Sequence, residues 1–199
     1  LFTYFALVLL GFNCLGQLQN GNFETWNSLP ADMPQGWFNS NRDALARNFP
    51  ANVSQFTPAH TGDFSILLGT EIIGSDTVFG YISNSPDPFS GIGGTPYTMQ
   101  PDSFFCNARL GLMPGDTGII LIIFKSAGSP IGFNILKVSG GNPMAWQNLG
   151  FKLNTLPVAP DTVIIAASSS NTITKVGMQH GSFVVFDNFT FNTAQPIPY

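Results

Sequence analysis

Hydrophobic residues recur at every second position along much of this chain, and that period constrains its fold more than any other feature. From Ser103 to Leu112, Phe104, Cys106, Ala108, Leu110 and Leu112 alternate with Phe105, Asn107, Arg109 and Gly111, as in a strand with one buried face. Thr117–Lys125 reads TGIILIIFK, a short β-branched run that predicts a strand covered on both faces. Further strands are predicted at Ser65–Gly69, Val78–Ser83, Ile131–Val138, Trp146–Leu153, Thr162–Ser168 and Ser182–Asn192. Turn clusters at Met113–Asp116, Ser126–Pro130, Ser139–Pro143 and Thr155–Asp161 separate several of them at about the 8–12-residue spacing of an all-β sandwich. Only Asp43–Arg47 offers a helical turn. With no internal repeat, one two-sheet antiparallel β-sandwich is the economical architecture.

Charge is scarce. Only 9% of the 199 residues are charged, while 44% are hydrophobic, and the chain holds 21 Gly, 15 Pro and 19 Phe. An average soluble domain carries about 25% charged residues. Such a chain buries a core and punctuates it often, which excludes a disordered chain, a coiled coil and most helical bundles. A net charge of −4 from seven basic and 11 acidic residues argues against nucleic acid as a partner.

Leu1–Leu10 (LFTYFALVLL) is an uncharged apolar run followed by Cys14-Leu15-Gly16, with small residues at the −3 and −1 positions of a cut before Gln17. This predicts residues 1–16 to be a secretory signal lacking its start, 17–192 the sandwich and 193–199 the start of a linker. The run is too short to span ~30 Å of hydrocarbon, so no membrane insertion is expected after signal removal. The alternative of a lipid on Cys14 stays open. After cleavage Cys106 is the one cysteine left, expected to be a small buried hydrophobe rather than a nucleophile.

Asn20-Gly21-Asn22-Phe23-Glu24 with Trp26 and Pro34-Gln35-Gly36-Trp37, then His60–Leu68 (HTGDFSILL), then Phe186-Asp187-Asn188-Phe189-Thr190-Phe191 occur in that order. This series resembles carbohydrate-binding-module-like jelly rolls of the galactose-binding-like fold. Pro101-Asp102-Ser103, Pro160-Asp161-Thr162 and the Trp146 strand resemble, more narrowly, a domain ascribed to carbohydrate metabolism in bacterial surface proteins that use type IX secretion. The likeness runs from Asn20 to Asn192. It implies a calcium ion between the first and last strands, with Glu24 and Asp187 as carboxylate ligands and backbone oxygens from near Asn22 and Gly62. Calcium takes six to eight hard oxygen ligands. Asn188 stands where the family often has a second Asp, which thins the set. The other reading of Glu24 and Asp187 is ordinary turn or edge hydrogen bonding.

A sugar site needs aromatic platforms and fork-shaped polar partners. Trp37, Tyr81, Tyr97 and Trp146 are the candidate platforms, and Arg42, Gln147, Asn39, Asn41 and Asn148 the candidate partners. Tyr97, in the glycine-rich loop Ser90–Tyr97, is the one expected to be most exposed. Core filling is the competing role for each aromatic. The two histidines, His60 and His180, could share a metal or be ordinary turn residues. No GxSxG, HExxH or paired CxxC is present, so no catalytic residue is assigned. The leading expectation is a secreted or cell-surface bacterial module without catalysis. It would bind a polysaccharide or surface glycan and sit upstream of another domain of the same polypeptide. A structural spacer or protein–protein module is the alternative, and a glycan-active hydrolase stands third.

Overall fold

The computed structural model describes residues 18–27 and 33–192. The predicted signal segment, residues 1–16, and the linker, 193–199, lie outside them. The described elements are β1 (Trp26–Asn27), β2 (Met33–Pro34), β3 (Phe38–Asn39), α1 (Asn41–Ala46), β4 (Val53–Phe56), β5 (Ser65–Ile73), β6 (Asp76–Phe79) and β7 (Tyr81–Ser83). They continue with β8 (Thr95–Pro96), β9 (Ser103–Gly111), β10 (Gly118–Ser126), β11 (Ser129–Val138), β12 (Gln147–Lys152), β13 (Thr162–Ser168) and β14 (Phe183–Phe191).

The strands form two six-stranded sheets and a small β1–β2 ribbon, and every pairing is antiparallel. The first sheet runs β11-β10-β13-β7-β3, with β8 also on β13; the second runs β12-β9-β14-β5-β4, with β6 also on β5. The fold is an all-β sandwich of jelly-roll type. Its core lies between the inner faces, where Ile120, Ile122 and Phe124 of β10 meet Phe104, Ala108, Ile66, Val184 and Phe186 from the second sheet.

The predicted Val78–Ser83 strand divides at Gly80, with β6 joining the second sheet and β7 the first. The crossing is tight: the Gly80 N–H donates to the Gly69 carbonyl at 2.6 Å, and a Cβ there would meet the Asn52 carbonyl oxygen at 2.5 Å. Only glycine lets the backbones approach so closely. β10 is buried along Gly118–Lys125 on both faces, as its sequence predicts. The inner face enters the core. The outer face, Ile119, Leu121 and Ile123, lies beneath a strap formed by residues 84–94. Asn84 ties the strap to β13, accepting from the Ile165 N–H (2.8 Å) and donating to the Val163 carbonyl (3.1 Å). The buried Lys125 ammonium donates to the Gly91 and Gly93 carbonyls at 2.7 and 2.9 Å. That satisfies a charge which burial would otherwise make costly.

Candidate glycan-binding face

Alternation on β9 turns Phe105, Asn107 and Arg109 away from the core, and among the described residues no strap buries them. Register then decides their neighbours. Asn107 lies opposite Asn148 on β12 and Asp187 on β14, and Phe105 lies opposite Gly150 and Thr190. Between Asp187 and Thr190 the register shifts, and Asn188 sits in the left-handed region at φ 55°. Asn tolerates that conformation, and the bulge re-aims its amide onto the open face.

Three amides form a chain there. Asn188 Nδ2 donates to Asn107 Oδ1 at 3.0 Å, and Asn107 Nδ2 donates to Asn148 Oδ1. Thr61 Oγ1 donates to Asn188 Oδ1 at 2.9 Å. The His60 ring stands 3.4 Å from both the Asn107 and Asn188 amide nitrogens and packs edge-on against Trp146, with centroids 5.7 Å apart. Arg109 lies between two rings, its guanidinium carbon 5.1 Å from the Phe56 centroid and 5.8 Å from that of Trp146, while its Nε donates to the Pro143 carbonyl. Beside them Phe105, Asn107, Asn148, Asn188 and Thr190 line a cleft of about 390 Å³. The arrangement offers half-exposed aromatic surface next to paired donors and acceptors, with the Arg109 guanidinium beside them.

Beside the amide chain, two carboxylates clip one loop. Glu24 accepts from the Asp63 N–H at 2.9 Å and from the Phe64 N–H at 3.2 Å. Asp187 Oδ2 accepts from the His60 and Thr61 N–H groups at 2.9 and 3.1 Å. Gly62 completes the clip at φ 71°, where a Cβ would meet Glu24 Oε1 at 2.3 Å. Asp187 is fully buried and its Oδ1 makes no hydrogen bond. Burial raises its carboxyl above the usual aspartate range, backbone N–H groups of Thr61, His60 and Asn188 pull it down, and the Glu24 charge adds to the rise. The bare, buried Asp187 Oδ1 and the neighbouring Glu24 carboxylate, whose charge acts on it, are hard oxygen donors of the kind a calcium ion takes, and they are the two side chains at hand.

Of the aromatic platforms expected from sequence, Trp146 alone reaches this face. Two of the others are corrected outright. Trp37 is 3% exposed, wedged between Phe23 and Phe189 at 5.4 and 5.9 Å, and its indole N–H donates to the Gln19 and Asn20 carbonyls. Tyr97, the residue expected to be most exposed, is 1% exposed and packs on Phe191 and Phe124 at 4.9 and 5.9 Å. A large ring on a loop that crosses an open sandwich end is the cheapest plug for it. Tyr81 lies half-buried on the other sheet, beside Phe79. Arg42 is exposed on α1 and pairs with no carboxylate among the described residues.

Gln147 sits opposite Ala108, so its side chain turns under the sheet, and its Nε2 is buried without a partner. Asn39 and Asn41 serve the local turn, Asn39 Oδ1 accepting the Asn41 N–H and Asn41 bracing Asn52 and Val53. The two histidines lie in different settings, for His180 pairs with Glu71 at 3.1 Å. Cys106 is buried and its thiol is pushed up to about 12 by burial, as expected of a core residue. Phe56, Phe105, Asn107 and Arg109 were not anticipated as site residues, while His60 and Asn188 were read only in connection with a metal. The alternation that set Phe105, Asn107 and Arg109 opposite the core held the signal for those three.

No family model matches the chain, and no curated protein matches it in sequence. Solved structures do. A protein of Bacteroides vulgatus ATCC 8482, provisionally described as a glycoside hydrolase, is similar at a TM-score of 0.64 with 14% identity, over 86% of this chain and 97% of that one. A Bacteroides thetaiotaomicron protein with the same provisional description gives 0.63 and 12%; the match covers 80% of this chain and spans 63% of that one. The enzymatically active domain of tailspike protein 4 of bacteriophage CBA120 gives 0.53 and 10%, over 90% of this chain and 22% of its own. At these identities the likeness establishes a shared fold.

Proposed function

We propose that this chain is a secreted carbohydrate-binding module that holds glycan without cleaving it, within a larger exported protein of a bacterial surface. The observation that carries this reading is the open face of the second sheet, where Trp146 and Phe105 flank the amide chain Asn148–Asn107–Asn188. A sugar ring offers an apolar face to an aromatic surface, while each vicinal hydroxyl pair needs one donor and one acceptor, which an amide supplies. Arg109 adds a fixed fork, held flat between Phe56 and Trp146.

Glycoside cleavage would ask for two carboxylates about 5–10 Å apart across the scissile bond. Glu24 and the Oδ2 of Asp187 instead accept from the backbone N–H groups of residues 60–64. Their corner is where a calcium ion would sit, with Asp187 Oδ1 as its buried ligand. Its role there is to join the first and last segments of the sandwich rather than to touch sugar. The two Bacteroides neighbours, described as glycoside hydrolases, fit a glycan-related setting.

Affinity electrophoresis of the chain through a panel of polysaccharides tests the reading. One polysaccharide should retard the wild type, Trp146→Ala and Asn107→Ala should run freely, and the gel-embedded polymer should keep its length. A folded wild type that no polysaccharide retards overturns glycan binding in favour of a spacer or protein-partner role. Shortening of the polymer moves the assignment to a hydrolase.

A further inference from the structure

The strapped side of the sandwich holds a second, chemically different pocket. Between the strap, the outer face of the first sheet and the segment after β13 lies a cavity of about 200 Å³. Its floor is aliphatic, from Ile119, Leu121 and Ala166, and three aromatic rings, Phe79, Tyr81 and Phe89, border it. The Phe79 and Tyr81 rings are 6.3 Å apart and tilted by 46°, so they present two non-parallel faces to the same space. Asp87 completes the lining. Among the described residues it pairs with no basic side chain, and the Ser90 hydroxyl and N–H hold its carboxyl below the usual range, so it is anionic at neutral pH.

Two carboxylates reach the pocket electrostatically: Tyr81 feels both Asp43 and Asp87, which add to burial in holding its phenol neutral. Of the nearby cations, Arg47 pairs with Asp76 at 2.5 Å and Asp43 at 3.6 Å, and Lys125 is held under the far end of the strap by Gly91 and Gly93, while Arg42 on α1 and Lys175 beyond Ile173 are exposed. Aromatic faces with a carboxylate at the rim attract a cation that sheds water readily, and methylated ammonium groups are the ones that do so. The volume is below the 300–1,000 Å³ of drug-sized sites, which limits the occupant to a few heavy atoms. Anchored by Asn84 at one end and Lys125 at the other, the strap holds the pocket ready-formed, so little ordering cost falls on binding.

We infer that this pocket is a binding site for a small alkylammonium group, taken between Phe79, Tyr81 and Phe89 with Asp87 as counter-charge. It is independent of the glycan face, which lies on the opposite sheet. The probes are choline and its neutral isostere 3,3-dimethylbutan-1-ol, titrated into the intact chain and followed by NMR. Choline should bind roughly tenfold more tightly than the isostere, the equivalent of about 1.4 kcal/mol, and shift strap resonances but not those of Asn107 or Asn148.

Phe89→Ala and Asp87→Asn alter exposed side chains and should melt with the wild type, yet each should weaken choline about threefold or more. Equal affinity for the neutral isostere reduces the pocket to a plain apolar cavity and overturns the inference. So does an absence of shifts with choline at up to tens of millimolar, or a choline affinity that neither variant changes. None of these outcomes bears on retardation by polysaccharide, so the two readings fail separately.

Discussion

The outer faces of the two sheets obey the same alternation and end as opposites. On β10 the outward residues are Ile119, Leu121 and Ile123, and the chain spends a strap to cover them. On β9 the outward residues are Phe105, Asn107 and Arg109, which stay partly exposed, with only the edges of the loops carrying His60 and residues 143–146 packed on them among the described residues. Covering a sheet face removes apolar surface from water, whereas leaving one open requires its polar groups to satisfy one another. The amide chain on β9, β12 and β14 does so, and groups already held in register by neighbours are also the groups best placed to receive a ligand. Stability is therefore invested in one outer face and, on the function proposed above, recognition in the other.

Polar substitution under the strap should break this contrast with the largest effect. Leu121→Asn puts an amide where no partner waits, and the loss should be about 3–5 kcal/mol, read from denaturant melts, while Asn107→Leu on the open face costs under about 1 kcal/mol. Comparable losses at both sites would dissolve the distinction. Next comes Lys125→Met, which leaves the Gly91 and Gly93 carbonyls without their donor. A cost of about 1–3 kcal/mol is expected, with faster amide exchange confined to the strap.

The carboxylate corner sharpens the comparison through pH. Asp187 has its folded pKa above the unfolded value, so in the interval between them the folded state holds more protons, and stability from this group falls as pH rises. In chelator, the wild type should gain stability relative to Asp187→Asn as pH drops through that interval. Added calcium should stabilise the wild type above it and lose its effect below, as followed by thermal melting across pH. A calcium response in Asp187→Asn equal to that of the wild type would remove the ion from this corner. The smallest stability effect belongs to Trp146→Ala, expected within about 1 kcal/mol because the ring is only half-covered, against a loss of glycan affinity of tenfold or more by electrophoresis.

Strand positions were legible because they depend on local pattern. β9, β10, β13 and β14 fall within a residue or two of where alternation and turn clusters place them. β4 escaped notice since Val53–Phe56 is short and has one outward polar pair, Ser54 and Gln55, in place of a regular alternation. The strap was invisible as a cover, although the buried outer face it protects was read from the apolar run that follows Thr117. The candidate face was least legible. It joins His60, Asn107, Trp146 and Asn188, which no local spacing connects, and it depends on a bulge whose existence only pairing reveals. Trp37 and Tyr97 misled for a related reason: a large ring in an irregular segment was a candidate platform, and Tyr97, in a glycine-rich loop, was expected exposed, but each ring folds back onto the end of the sandwich, against Phe189 and Phe191.

One consequence of the strand order concerns synthesis. β14 pairs with both β5 and β9 in the middle of the second sheet, yet it comes last among the described strands. A chain emerging from a ribosome therefore waits for this strand with two long edges open, and cannot close the sheet piece by piece. The Phe23–Phe189 contact and the Phe189 N–H donated to Gly21 tie the same late segment to the earliest described one. A sheet that only its latest described strand can complete stays open until that strand is made.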